Sequence, residues 1–306
     1  MNRLGKVVIT VPASTANLGP GFDSVGLALN RYLTIEAIEA EEWHFELEGP
    51  NLIGVPSGSD NLIAEISTVV AKNFGKEMPP CHVIMNSTIP LGKGMGSSAA
   101  AIVASIELAN QFAQLGLSTE QKCREASVIE GHPDNAAASV CGGLVIGTHN
   151  DEETFVLQTN LNEVDIIMMV PDQQLLTKKA RGVLPSTVAF KEAVRASSVS
   201  NVLVAALLQR DWDLAGKMMV RDLFHQPHRM ELVPGLKEIV ETIQQYGAYG
   251  AALSGAGPTL IVFAPSGEGS SVIQRLTETF PNFTYDQVEV DKNGVIVEHV
   301  GCKTKV

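Results

Sequence analysis

Eleven consecutive residues carry the most chemically suggestive pattern of this 306-residue chain: Pro90, Leu91, Gly92, Lys93, Gly94, Met95, Gly96, Ser97, Ser98, Ala99 and Ala100. Glycines at alternate positions let the backbone turn tightly and aim successive N–H groups at one point. A strand-like run at 81–87 leads into the segment, and an alanine-rich helical run over 98–115 leads out. The start of a helix adds unpaired N–H donors and the positive end of its dipole. Together these predict a nest for a polyanionic phosphate group. Ser97 and Ser98 add hydroxyls, and Lys93 adds a mobile cation. The pattern is neither G-x-x-x-x-G-K-[ST] nor G-x-G-x-x-G, so the common nucleotide fingerprints do not describe it.

Two further glycine-rich segments stand out. Residues 12–23 read P-A-S-T-A-N-L-G-P-G-F-D, directly after a strand-like run at 7–11. A turn projecting Asn17 and Asp23 could hold a hydroxyl and an ammonium group; the same residues could instead satisfy backbone donors within a loop. Residues 253–260 read L-S-G-A-G-P-T-L between two strand-like runs. They suggest a tight hairpin or a close approach of backbone to ligand.

The elements that must position these segments are legible from periodicity. Alternation predicts strands over 32–37 and 43–47. Asp60 can cap a helix over 61–74, and Ser118 with Gln121 reads as a capping box for a helix through 129. Residues 142–147 look like a strand and 148–154 like a surface turn, with a domain boundary near 150–162. Further strands are predicted at 165–170, 251–254, 259–264 and 284–290, and helices at 186–210, 212–220, 235–246 and 269–280. D-K-N-G at 291–294 reads as a hairpin turn into a strand over 295–300. Without strict β–α alternation, the pattern favours an α+β fold over a doubly wound parallel sheet.

Composition narrows the function classes. A formal charge of −12 argues against nucleic acid or an anionic membrane as partner. No apolar run approaches the length of a membrane span, and the first six residues lack a signal-peptide core. Cys81, Cys123, Cys141 and Cys302 form no C-x-x-C pair, which suggests reduced thiols in a cytoplasmic protein.

The three segments, in this order and spacing, resemble the signature motifs of the GHMP kinases, a family named for its galactokinase, homoserine kinase, mevalonate kinase and phosphomevalonate kinase branches. The likeness spans essentially the whole chain. P-A-S-T-A-N-L-G-P-G-F-D is similar to the homoserine kinase branch's first motif, as are Gly131-His132-Pro133-Asp134-Asn135, Thr177-Lys178-Lys179-Ala180-Arg181 and Pro227-His228-Arg229. The resemblance implies a two-domain α+β architecture: a ribosomal-protein-like domain over 1–155 and a ferredoxin-like domain over 156–306.

The resemblance also implies a chemistry. ATP would be cradled by residues 90–100, with Asn61 near the adenine. Mg²⁺ would be held by Ser98 and Glu130, with Glu125 the alternative carboxylate. The acceptor would be L-homoserine, its ammonium on Asp23 and its carboxylate on Arg181 and Arg229. Asn17 would orient the reacting hydroxyl, while His132, Asp134, Thr177 and Gly255 would line the pocket. Asn17, Lys93 and Arg229 are the residues assigned directly to the reaction. Asn135 stands where mevalonate-type relatives carry an aspartate, so positioning without a strong base is the expected mechanism, and His132 as base is the competing one. A mevalonate-type substrate and a non-catalytic nucleotide sensor are the rival functions. A homodimer is left open.

Overall fold

The structure, a computed structural model, describes residues 5–301; Cys302 lies outside them. In chain order its main elements are β1 (Lys6–Ala16), β2 (Val25–Glu39), β3 (His44–Glu48), α1 (Leu62–Asn73), β4 (Cys81–Ser87), α2 (Ser97–Phe112), α3 (Thr119–Glu130), α4 (Asp134–Cys141), β5 (Leu144–His149) and β6 (Thr154–Thr159). There follow β7 (Val164–Pro171), α5 (Thr177–Gly182), α6 (Phe190–Gln209), α7 (Trp212–Met219), α8 (Gln226–Arg229), α9 (Leu236–Thr242), β8 (Gly250–Leu253), β9 (Leu260–Pro265), α10 (Gly269–Thr279), β10 (Phe283–Val288) and β11 (Ile296–Val300).

Two sheets organise these elements. The first runs β11-β1-β2-β4-β3, with β5 also paired to β2 and β6 to β5; the second is a four-stranded antiparallel sheet ordered β10-β7-β9-β8. Numbered within that unit, the second order is 4-1-3-2, the arrangement a split β-α-β repeat produces, so the ferredoxin-like expectation holds. β7 sits centrally because its residues Ile166 to Met169 are all buried. Its neighbour β9 is likewise apolar on both faces, buried from Leu260 to Ala264, as a sheet covered on both sides requires.

The α2 helix is the hub of the first layer. Every residue from Ala99 to Ala109 is buried. Alanines on most faces let α1, α3, α4 and the sheet approach closely, so the composition read as a helix signal also sets the packing distance. The α3 start is the predicted capping box: the Ser118 hydroxyl accepts from Gln121 N at 3.3 Å, and the Gln121 side chain accepts from Ser118 N at 2.9 Å. α1 differs from expectation by one residue. Asn61, not Asp60, is its cap, accepting from Ile63 N at 2.9 Å.

One sequence expectation is overturned by connectivity. D-K-N-G does not turn a hairpin, because β10 pairs with β7 in one sheet and β11 with β1 in the other. Asp291 Oδ1 accepts from both Asn293 N and Gly294 N, closing a turn through which the chain crosses between sheets. Gly294 is required there at φ +70°, with a Cβ site only 2.2 Å from Val140 O. A division at residue 155 passes through β6, a strand not anticipated, and β11 returns the end of the chain to the first sheet. Sheet membership therefore does not follow a single cut.

Candidate active site

The first motif begins where β1 changes register. β1 and β2 slip between Pro12 and Ala13, as a proline without a ladder donor favours. The strand then continues to Ala16, and the turn beyond it places three non-glycine residues at positive φ: Asn17 (74°), Leu18 (47°) and Asp23 (53°). Such conformations persist only where the surroundings enforce them. Here Asn17 does much of the enforcing. Its Oδ1 accepts from Asp23 N at 3.0 Å and its Nδ2 donates to Gly255 O at 3.1 Å. First and third motifs are thus joined through one side chain.

The phosphate loop joins both. Gly92, Gly94 and Gly96 all have positive φ. A Cβ on Gly94 would lie 2.5 Å from Ser254 O and 2.7 Å from Gly257 O; one on Gly96 would lie 2.3 Å from Ser14 Oγ. The glycines therefore do more than turn the chain: they let the loop seat against the other two motifs. The Ser254 hydroxyl bridges all three, donating to Gly94 O at 2.6 Å and lying 2.8 Å from Thr15 Oγ1. α2 starts at Ser97 with no side-chain cap, so its first N–H groups remain available to a ligand.

One cleft collects most of the residues singled out from the sequence: Asn17, Asp23, Gly92, Gly94, Gly96, Ser97, Ser98, Ala99, Glu130, His132, Asp134, Thr177, Arg181, Arg229 and Gly255. A second, more apolar cavity of about 340 Å³ adjoins it through Ser97 and Ser98; Asn61, Leu91, Pro56 and Ile63 are among its walls. Asn61 lies at that cavity, but its side chain is held by Pro56 O and the α1 cap. Met95 and Ala100 are buried in the core, and neither they nor Pro90 line the cleft.

Lys93 departs from the mobile cation read from the sequence. Its Nζ donates to the carbonyls of Pro171, Asp172 and Gln173 at 2.6, 2.5 and 3.0 Å. It clamps the phosphate loop to the end of β7 and the two residues that follow, and does not line the cleft. Burial lowers its pKa, with Asp172 partly opposing.

Opposite charges face each other across the cleft. Arg181 of α5 grips Asp23 with two hydrogen bonds, 2.8 and 3.1 Å. Burial opposes the guanidinium charge, but Asp23 outweighs it and Arg181 is held above its ordinary pKa. Arg229 of α8 is only 2% exposed. It donates through Nε to Ala180 O at 3.1 Å and through Nη1 to Gly255 O at 3.0 Å, with His225 Nδ1 at 3.1 Å. Burial, aided by the nearby Arg181, lowers its pKa to about 10, which leaves it charged at neutral pH. His225 is neutral, its pKa pushed down by burial; Nε2 donates to Gly19 O at 2.9 Å, so Nδ1 is free to accept from Arg229. Asp222 fixes this short helix by accepting from the backbone N–H groups of Phe224, His225 and Gln226.

Sequence reasoning passed over Phe22 and His225. The Phe22 ring stacks on His225 at 5.1 Å and lies under both guanidinium groups, 5.7 Å from Arg181 and 5.6 Å from Arg229. Its place beside Asp23 in the first motif was the available signal.

The loop between α3 and α4 supplies the acidic side. Glu130 ends α3, and its buried Oε2 has no hydrogen-bond partner among the described residues. Burial raises its pKa to about 7. His132 Nδ1 donates to Asp134 Oδ1 at 2.6 Å. Burial opposes the imidazolium, but Asp134 more than compensates and raises the His132 pKa. Asn135 donates to Ser14 O and Ser14 Oγ at 3.2 and 3.1 Å. Glu125 does not line the cleft.

A mixed α+β scaffold with a glycine nest at a helix start, opening on a small charged cleft, defines the class of small-molecule kinases to which the comparisons also lead. Residues 61–143 match the GHMP kinase N-terminal domain model and residues 203–282 the GHMP kinase C-terminal model. The chain belongs to the GHMP kinase family. Its relatives there include homoserine kinases. That of Halalkalibacterium halodurans is 55% identical, covering 95% of each chain; that of Bacillus pumilus is 50% identical, covering 95% of this chain and 94% of the other. The crystal structure of homoserine kinase from Cytophaga hutchinsonii superposes with a TM-score of 0.82 at 26% identity, covering 96% of this chain and 97% of that one.

Proposed function

We propose that this protein is an ATP-dependent homoserine kinase, moving the γ-phosphoryl group of ATP to the side-chain hydroxyl of L-homoserine in threonine biosynthesis. The observation that carries the reading is the convergence of Asp23, Arg181 and Arg229 beside the phosphate loop in one cleft. That set matches a zwitterion: an anion for the ammonium and two guanidinium groups for the carboxylate, the planar fork of Arg181 and the Nη2 of Arg229 that the backbone carbonyls leave over. Without substrate, Asp23 and Arg181 satisfy each other. The amino acid's two charges replace that contact with one partner apiece.

The apolar cavity bounded by Asn61 and Leu91 suits the base of the nucleotide, and the Ser97 and Ser98 shared by both pockets support seating its phosphates at the α2 N-terminus. The donor set also fits Mg²⁺, a cation that seeks carboxylate and hydroxyl oxygens. Glu130 presents an unpartnered buried oxygen, and Ser98 faces the same cleft. These two residues would hold the metal, which when bound neutralises phosphate charge. Phosphoryl transfer needs alignment and charge stabilisation more than covalent help. Asn17, fixed at both ends of its amide, orients the acceptor hydroxyl. The O–P bond to the acceptor forms as the bond to the ADP oxygen breaks, and the hydroxyl proton passes to a phosphate oxygen or solvent. His132, held toward its protonated form by Asp134, is a poor base, which supports positioning over base catalysis.

An ADP-release assay with a panel of L-homoserine, 3-aminopropanol and mevalonate tests the reading. Turnover with homoserine far above the others is expected. Preference for mevalonate would replace it with a sibling kinase, and nucleotide binding without turnover of any alcohol would leave a sensor.

A further inference from the structure

Three metal-ligating side chains that line neither the cleft nor the apolar cavity meet on one face of the first sheet. His44 and Glu46 come from β3 and His82 from β4. The two strands pair in parallel, with His44 opposite His82 and Glu46 two residues on. Strand alternation sends His44 and Glu46 to the face opposite the buried Phe45. His82 Nε2 lies 2.8 Å from Glu46 Oε1, and the His44 and His82 ring centroids are 5.2 Å apart. One ligand atom from each residue lies within 4.8 Å of the other two.

We propose that His44, Glu46 and His82 bind one transition-metal dication, with Zn²⁺ the best-suited ion and solvent in the fourth position. Two imidazoles and one carboxylate suit Zn²⁺, Ni²⁺ or Cu²⁺; Mg²⁺ and Ca²⁺ prefer all-oxygen sets. Zinc bonds of about 2.0–2.1 Å place tetrahedral ligands about 3.3 Å apart. From separations no greater than 4.8 Å, the three atoms need converge by at most about 1.5 Å. That adjustment is open to them, because His44 and Glu46 are exposed and their backbones are fixed by the β3–β4 ladder. Trp43 stacked on Phe45 at 5.9 Å anchors the same strand from below. Glu48 continues the exposed face of β3, and the chain's net charge of −12 favours cation binding. Among the described residues β3 is an edge strand paired only with β4. A bound ion clips that edge to the strand that leads into the phosphate loop.

The test uses the full chain, stripped with chelator and titrated with ZnCl₂ by calorimetry. One ion per chain with micromolar affinity is expected, undiminished by millimolar Mg²⁺. His82→Ala should abolish the event, and His44→Ala and Glu46→Gln should each weaken it by about tenfold or more. Zinc should raise Tm in the wild type and not in His82→Ala, while kinase turnover stays unchanged in all three variants. Asp23, His132 and Asp134 form a second triad with ligand atoms equally close, so His132→Ala is the control. Binding that survives His82→Ala and disappears in His132→Ala overturns the assignment. So does the absence of binding at millimolar Zn²⁺, or binding by the wild type without a Tm difference between it and His82→Ala.

Discussion

Replacing Glu130 with glutamine should stabilise the ligand-free protein at alkaline pH while impairing its use of Mg²⁺. One carboxyl oxygen, Oε2, is buried without a hydrogen-bond partner among the described residues, and burial raises the pKa from 4.5 to about 7. Between those values the folded chain binds a proton that the unfolded chain has released, so unfolding free energy falls as pH rises through the window. At 1.36 kcal/mol per tenfold change, the penalty is about 0.8 kcal/mol at pH 5 and about 3.3 kcal/mol at pH 8. Glutamine keeps the volume and has no charge to bury. The variant should therefore gain about 2.5 kcal/mol on the wild type between pH 5 and pH 8, or about 4 °C in Tm for a chain of this size. Thermal and urea unfolding at several pH values, in chelator and without nucleotide, measure the difference directly. Taking a difference across pH removes the contribution of the amide itself. A stability gap that stays flat with pH would refute the buried-charge reasoning. In the activity assay the same variant should need a higher Mg²⁺ concentration, and Glu125→Gln should not; the reverse pattern would transfer the metal to Glu125.

Other expectations follow from the same geometry. Arg229→Leu should lower kcat/KM for homoserine by roughly 30-fold to several thousandfold, the loss for removing a buried charged partner, and should narrow the preference for homoserine over 3-aminopropanol; an unchanged ratio of the two kcat/KM values would mean that Arg229 does not read the carboxylate. Gly94→Val should destabilise the fold as well as impair ATP binding, since its Cβ would meet backbone oxygens at 2.5 and 2.7 Å, whereas Gly92→Ala meets only the Gln174 side chain at 3.7 Å and should fold at a cost of about 1–2 kcal/mol; equal Tm losses in the two would show that loop seating is not what Gly94 provides. Asp134→Asn should lower the His132 pKa, read by NMR titration of the imidazole, and reduce turnover by less than about 10⁴-fold; a larger fall would indicate direct participation in proton transfer.

Local signals served well where a local cause suffices. The capping box of α3 and the hairpin of the third motif follow from neighbouring residues, and both are present. They failed where a distant partner decides. D-K-N-G has hairpin composition, yet Gly294 answers to Val140 and its flanking strands answer to different sheets. Lys93 has the type and place of a phosphate cation, yet three carbonyls more than 75 residues away hold it. Phe22 and His225 carry no chemical motif of their own; their role exists only as a stack beneath two arginines that the chain brings from α5 and α8.

By itself, then, the sequence determined the α+β class and the glycine nest opening α2, because residue type and short-range spacing encode turn geometry and helix starts; the charged set suited to a zwitterion came with the family resemblance. Tertiary structure decided the rest. It set Glu130 rather than Glu125 at the cleft, fixed Arg229 through His225 and Gly255, and ran the second sheet between helices from both sides of α8. It also made the loop glycines a matter of contact, since Gly94 and Gly96 have room only for hydrogen where Ser254, Gly257 and Ser14 close in. Distances of this kind arise from the packing of segments far apart in the chain, and no local pattern of residues contains them.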